Sequence, residues 1–294
     1  MNKKKQGIFV INNRLFTAII LIIFVIFAVF LLSPLNFEII SILICTIAAW
    51  EWSKLSGVVL WYNRILIAIL FGLILLTLMF FFKIYNCNLH SLLVISLLMI
   101  SISWWILALF LVLTYPRSSI FWKNSCLTRI AFGVFTLIPL FYILSVFRYL
   151  HYNENKFTGS WYILFIMCLV WSIDSSAYFF GQTFGKNKLS PVISPNKTWE
   201  GFFCSLVVSF LIVFLFSNFK LIDLSKKSLI IFSTIITFAS LLGDLTESML
   251  KREIGLKDSS NIIPGHGGLL DRIDSLTTVI PVFGLFMTTS IKYF

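Results

Sequence analysis

The chain has 294 residues, of which 59% are apolar and 12% charged, with a formal net charge of +11 and a mean hydropathy of +0.96. That composition excludes a soluble domain. The positive charge fits lysines that meet anionic headgroups and fix orientation. No basic-aromatic module marks a nucleic-acid binder, and there is no internal repeat or low-complexity segment.

Apolar runs recur from end to end, and each is long enough to cross ~30 Å of hydrocarbon. Runs such as LFTAIILIIFVIFAVFLL (15–32) are apolar all round and lack strand alternation, so the spans are helices rather than a closed barrel. The opening MNKKKQ and the run behind it read as a retained signal-anchor, because no small-residue cleavage site follows. Nine spans are predicted, near 15–32, 37–53, 65–82, 91–114, 130–148, 161–180, 202–219, 229–246 and 275–291. The second is the weakest, since Glu38 opens it and Glu51 and Lys54 crowd its end; a re-entrant or partly interfacial helix is the alternative. The expected fold is therefore all-α, a polytopic transmembrane helical bundle of about nine spans. It forms one integral membrane domain, with N-terminal helices over about 1–128 and the polar loops gathered over about 129–294.

Cys45, Cys87, Cys126, Cys168 and Cys204 have no CxxC spacing, and four of them sit in or beside apolar segments. They read as packing residues rather than a zinc or disulfide site. With the N-terminus in the cytoplasm, sixteen Lys and Arg fall inside and seven outside, the bias expected of inside loops. The three lysines of 220–228 fall outside and oppose that orientation. It puts residues 182–201 and 247–274 together on the cytoplasmic side.

Three polar stretches interrupt the apolar pattern. WSIDSSAYFFGQTFGKNKLSPVISPNKTWEG (171–201) carries Asp174 inside a span. A carboxylate at that depth must face protein or water; it serves either a functional site or a hydrogen bond to a neighbouring helix. In SPNKTWEG (194–201), Ser194-Pro195 breaks regular structure and Thr198 is placed to cap a helix from Trp199. Free amides there, with Lys197 beside them, suit a phosphate; an ordinary capped helix is the other reading. LLGDLTESMLKRE (241–253) sets Asp244, Glu247, Ser248 and Lys251 on one helix face. Glu247 and Lys251 are spaced for a salt bridge. Asp244 has no positive partner at i+3 or i+4, so it awaits a metal or a base from elsewhere.

The third stretch is SMLKREIGLKDSSNIIPGHGGLLDRIDS (248–275), whose 28 residues hold eight formal charges and His266. Its glycines let backbone approach a ligand. Asp271 and Asp274, with Arg272 between them, join Asp244 in offering hard oxygen ligands and phosphate-binding cations. Mg²⁺ takes carboxylates together with substrate phosphate oxygens, so this is a composition suited to a metal-bound triphosphate.

Here the residues resemble a known signature. Ser248-x-Leu250-Lys251-Arg252, then Lys257-Asp258, then Ile263-Pro264-x-His266-Gly267-Gly268-Leu269-x-Asp271-Arg272-Ile273-Asp274 resembles that of the phosphatidate cytidylyltransferases, or CDP-diacylglycerol synthases. WSIDSSAYFFG, FGKNKLSP, SPNKTWEG, LLGDLTES and AAWEWSKLSG (48–57) resemble the bacterial enzymes too. The resemblance implies that CTP and phosphatidic acid give CDP-diacylglycerol and pyrophosphate. It implies a homodimer in the bacterial inner membrane, with the catalytic half over 129–294 open to cytoplasm and membrane lipids. Mg²⁺ is the implied metal, with K⁺ as a second ion, and the family's metal-binding aspartates fall on Asp244 and Asp271. Lys251, Arg252 and Arg272 are then catalytic candidates. Ser194, Lys197, Thr198, Ser248, Lys257, Asp258, His266, Gly267, Gly268 and Asp274 are substrate-binding candidates, and Glu247 an outer one. A secondary transporter coupled through Asp174 and a CTP-using polyprenol kinase are the rival classes.

Overall fold

The computed structural model describes residues 3–84, 89–219, 222, 224–265 and 267–290. Capping sets where many helices begin. The helix α1 (Lys3–Phe30) is followed by α2 (Pro34–Leu55), which starts behind Ser33; the Asn36 amide donates to the Ser33 hydroxyl at 3.3 Å. Pro34 in the first turn costs no hydrogen bond there. After α3 (Trp61–Ile84), Ser91 caps α4 (Leu92–Leu113). The single turn α5 (Ser119–Trp122) precedes α6 (Cys126–Tyr149), which Ser125 caps. Then come α7 (Thr158–Phe184), α8 (Trp199–Asn218) behind Thr198, α9 (Lys226–Glu253) behind Ser225, and α10 (Leu270–Ser290).

Each of the nine expected spans falls on a long helix. Seven of them, α2, α3, α4, α6, α7, α8 and α9, are long and apolar enough to cross a membrane; in α1 the apolar described part is Thr17–Phe30. The protein is a multi-pass helical membrane bundle. Its interior is aromatic: Phe147, Phe165, Phe232 and Phe283 are fully buried, with the rings of Phe232 and Phe283 4.5 Å apart. Among the described cysteines, Cys45, Cys126, Cys168 and Cys204 are free thiols, Cys45 buried and Cys126 exposed; Cys87 lies outside the described residues.

Three local differences from the sequence reading matter. The second span is not broken as a re-entrant segment would be: α2 is a continuous helix of 22 residues, long and apolar enough to cross a membrane, whose Glu38 and Glu51 are buried inside the bundle. Protein donors, not an interface, make those carboxylates tolerable; the Tyr149 hydroxyl reaches Glu38 Oε2 at 3.3 Å. The helix α9 does not stop near 246 but continues to Glu253, with Leu245, Met249 and Leu250 buried against protein. Residues 188–198 form a hairpin of β1 (Lys188–Ser190) and β2 (Ser194–Thr198), with Lys188 opposite Thr198 and Ser190 opposite Ser194. In a two-stranded ribbon every strand is an edge, so Pro195 is accommodated.

Contacts at the two ends show that the long helices alternate in direction. Trp52 Nε1 donates to Arg129 O at 2.8 Å, Lys54 Nζ to Ser259 O at 3.0 Å, and Arg252 Nε to Ile193 O at 3.0 Å. These gather the end of α2, the start of α6, the hairpin and the end of α9. At the opposite end Arg148 Nη2 donates to Leu32 O and Ser160 Oγ to Val29 O, both at 2.7 Å. Residues 182–201 and 247–274 therefore share one end, as the charge bias requires.

Near that end α9 and α10 meet at Gly243. A Cβ there would stand 2.5 Å from Asp274 O and 2.6 Å from Thr278 Oγ1. Gly243→Ala is expected to force the helices apart and lower stability by about 1–3 kcal/mol. Thermal unfolding in detergent checks it, and an unchanged midpoint would contradict so close a crossing.

Candidate active site

Chain reversals put five pieces together: the last turns of α2, the β-hairpin with the start of α8, the last turns of α9, the 254–269 loop, and the first turn of α10. The hairpin supplies the base that Asp244 lacks on its own helix. Lys197 Nζ lies 2.6 Å from Asp244 Oδ2, and Ser248, one turn on, donates to Oδ1 at 3.1 Å. Lys197 is held in register because its neighbour Thr198 caps α8, accepting from the Gly201 amide at 3.2 Å. The helix start expected in SPNKTWEG, with Thr198 as its cap, is formed.

Lys251 is buried between two acids. Its Nζ is 2.8 Å from Glu247 Oε2, the expected helical pair, and 2.7 Å from Asp271 Oδ1 on α10. Asp271 also accepts from the amides of Gly268 at 2.8 Å and Ser259 at 3.1 Å, which folds the 254–269 loop back onto the first turn of α10. Ile263 N donates to Gly267 O at 2.9 Å and closes a tight turn. Gly265 and Gly267 have φ of +76° and +81°, conformations that glycine adopts without a Cβ penalty. His266 lies outside the described residues.

The remaining predicted residues are placed as follows. Arg252 is a brace, its Nη1 donating to Leu256 O in addition to the bond from Nε to the hairpin. Ser194 pairs in the hairpin with Ser190. Lys257 and Asp258 are exposed on the loop, Asp258 packed beside Gly267. Asp174 accepts from Ser240 at 3.1 Å and Ser275 at 3.4 Å, so it does bond to neighbouring helices. It is also within electrostatic reach of Asp244 and Asp274, with Lys197 and Lys251 as compensating cations.

A cavity of about 480 Å³ opens between α1, α2, α6, α7 and α10. Asp174, Ser175, Asp271, Arg272 and Asp274 line one part of it; aliphatic side chains such as Leu21, Val25, Ile44 and Leu140 line the rest. Asp174 is thus open to an internal space although its helix is apolar. Sequence reasoning did not single out Glu51, which is buried beneath the 254–269 loop. The available signal was the one that marked Asp174: a carboxylate inside an apolar run.

The family model described as the cytidylyltransferase family matches residues 12–290. The chain belongs to the cytidylyltransferase family. It is 38% identical over 287 residues to the phosphatidate cytidylyltransferase of Haemophilus influenzae, covering 94% of this chain and 98% of that one. It is 34% identical over 278 residues to the enzyme of the same name from Pseudomonas aeruginosa, covering 94% and 97%. The cytidylyltransferase match takes in every element that builds the site, α2 included.

The donor set fits a hard cation. Asp174, Asp271 and Asp274 line one cavity wall with Asp244 in electrostatic reach, and the ammonium groups on Asp244 and Asp271 show that positive charge is accepted there. Among the described residues no three ligand side chains converge as a complete metal site. Mg²⁺ held by one or two carboxylates and substrate phosphates needs none.

Proposed function

We propose that this chain transfers the cytidylyl group of CTP to phosphatidic acid, giving CDP-diacylglycerol and pyrophosphate, at the cytoplasmic face of a bacterial inner membrane. Family membership supports a cytidylyl transfer, and the named relatives support phosphatidate as the acceptor. The observation that carries the acceptor assignment is the cavity: charged groups on one wall and hydrocarbon on the others suit a phosphate on acyl chains. A soluble acceptor has no use for those aliphatic walls.

The acceptor phosphate is itself an anionic nucleophile, so no serine or cysteine nucleophile is required. One of its oxygens bonds to the α-phosphorus of CTP as the bond from that phosphorus to the β-bridging oxygen breaks, and pyrophosphate leaves. The protein's part is in-line placement and charge neutralisation. Arg272, which is exposed and lines the cavity, would bind the phosphatidate headgroup. Lys197 neutralises charge at Asp244, and Lys251 holds Asp271 to α9. Asp244 and Asp271 would hold Mg²⁺, which when bound neutralises the triphosphate. Asp244 has the greater free acceptor capacity, since it takes two protein donors, Lys197 and Ser248, where Asp271 takes three, Lys251, Ser259 and Gly268. The homodimer and the K⁺ ion belong to the same proposal and rest on the resemblance.

The test is pyrophosphate release from CTP by purified protein in detergent. Release that needs both phosphatidic acid and Mg²⁺ supports the reaction. CDP release instead would make the protein a lipid kinase, and no turnover would remove the acceptor assignment.

A further inference from the structure

We infer that Glu51, on α2, is a positioning residue for this reaction: its carboxylate holds the 258–270 loop and the start of α10 in the shape that presents Asp271. The inference rests on the proposed transfer for its kinetic arm only.

Glu51 is fully buried and more than 200 residues distant in sequence from everything it binds. Its Oε1 accepts from the Ser260 hydroxyl at 2.5 Å and the Leu269 amide at 3.0 Å; its Oε2 accepts from the Leu270 amide at 2.6 Å and the Ser259 hydroxyl at 3.1 Å. The two amides are donors at the start of α10 that no backbone carbonyl within the helix can satisfy. An anion there is also favoured by the helix dipole. Glu51 therefore caps α10 from another helix, one residue before Asp271.

The loop is held from two sides at one residue. Ser259 gives its hydroxyl to Glu51 and its amide to Asp271. Lys54, one turn beyond Glu51, adds a bond to Ser259 O. Gly268 fits the same account. A Cβ there would stand 2.7 Å and 2.8 Å from the two Glu51 oxygens and collide with the Ser259 hydroxyl. The glycine at 268 makes room for a carboxylate from the N-terminal half. Nothing in this network requires Glu51 to touch substrate, so it acts through the loop.

The experiment compares wild type with Glu51→Gln, Ser259→Ala and the double variant, in detergent. Glu51→Gln keeps the volume but places an amide NH₂ where two donors already point. The expected result is a kcat lower by about 10–100-fold, with KM for phosphatidate little changed. Amide hydrogen exchange should rise in 258–271 and stay as in wild type in α7. Ser259→Ala should lose less, and the double variant should fall short of the product of the single losses. An unchanged kcat in folded Glu51→Gln overturns the inference. So does exchange that rises equally in α7, which would mean general destabilisation, and so do fully multiplicative losses. If Glu51→Gln does not fold, Ser259→Ala and Ser260→Ala decide, and unchanged turnover in both overturns it. Should wild type release no pyrophosphate, the proposed reaction fails, while local exchange in the Glu51 variant still decides whether the carboxylate holds the loop.

Discussion

Asp244→Asn is expected to lower cytidylyl transfer by about 100-fold or more while leaving the bundle folded. The substitution keeps volume and removes one charge at the point where the hairpin and α9 meet. Asp244 would hold Mg²⁺, and an ion held by only one or two carboxylates loses much of its hold, and with it the neutralisation of the triphosphate, when one of them becomes an amide. Stability changes little for a separate reason. Lys197 and Asp244 retain about a quarter to a third of their side-chain exposure, so water replaces part of what the ammonium loses. Asp244 also stands among Asp174 and Asp274, and removing its charge relieves repulsion. Pyrophosphate release measured alongside the unfolding midpoint checks the prediction. Activity near wild type would take Asp244 out of the reaction, and a collapse of the midpoint would make it a structural ion pair.

Lys251→Met should have the largest effect on folding. Its ammonium is 9% exposed and lies between Glu247 and Asp271, themselves 3% and 7% exposed. Removing it leaves two buried carboxylates facing each other with no cation between them. Breaking a buried pair in this way costs about 3–5 kcal/mol. The direction of rescue is specific. Glu247→Gln in the Lys251→Met background should recover part of the loss, because one uncompensated charge goes. Glu247→Gln alone should destabilise, because the ammonium then has only Asp271. A double-mutant cycle on unfolding midpoints reads the coupling, and additive losses would show that the three groups do not act as a unit. Turnover should fall with Lys251→Met as well, since Asp271 would lose the bond that ties it to α9.

The two variants separate the roles inside one charged cluster. Lys197–Asp244 is a half-open contact between the hairpin and α9, and Lys251 is an internal clamp between α9 and α10. Helical spacing made the Glu247–Lys251 pair readable in advance, because residues four apart share a face in any helix. It could not reveal Asp271 as the second acid on Lys251, twenty residues on across a loop. The partner of Asp244 was equally hidden: the chain showed that a base or metal had to come from elsewhere, and only the fold named Lys197.

What the sequence determined by itself was set by solvent and local period. Apolar runs of membrane-spanning length give nine long helices among the described residues, since lipid leaves the backbone no other partner. The positions of lysine and arginine put the hairpin and the 254–269 loop at one end, and the motif residues in those pieces named the family. What tertiary structure decided was the fate of each buried charge. Glu38 and Glu51 weaken α2 on a hydropathy count, yet both find donors inside the bundle. Asp174, read as site or strut, bonds to two helices and also lines the cavity. The physical reason is common to all of them. Hydropathy averages over a window and reports the environment of a whole helix, whereas a buried carboxylate is stabilised by individual donors that arrive from distant parts of the chain.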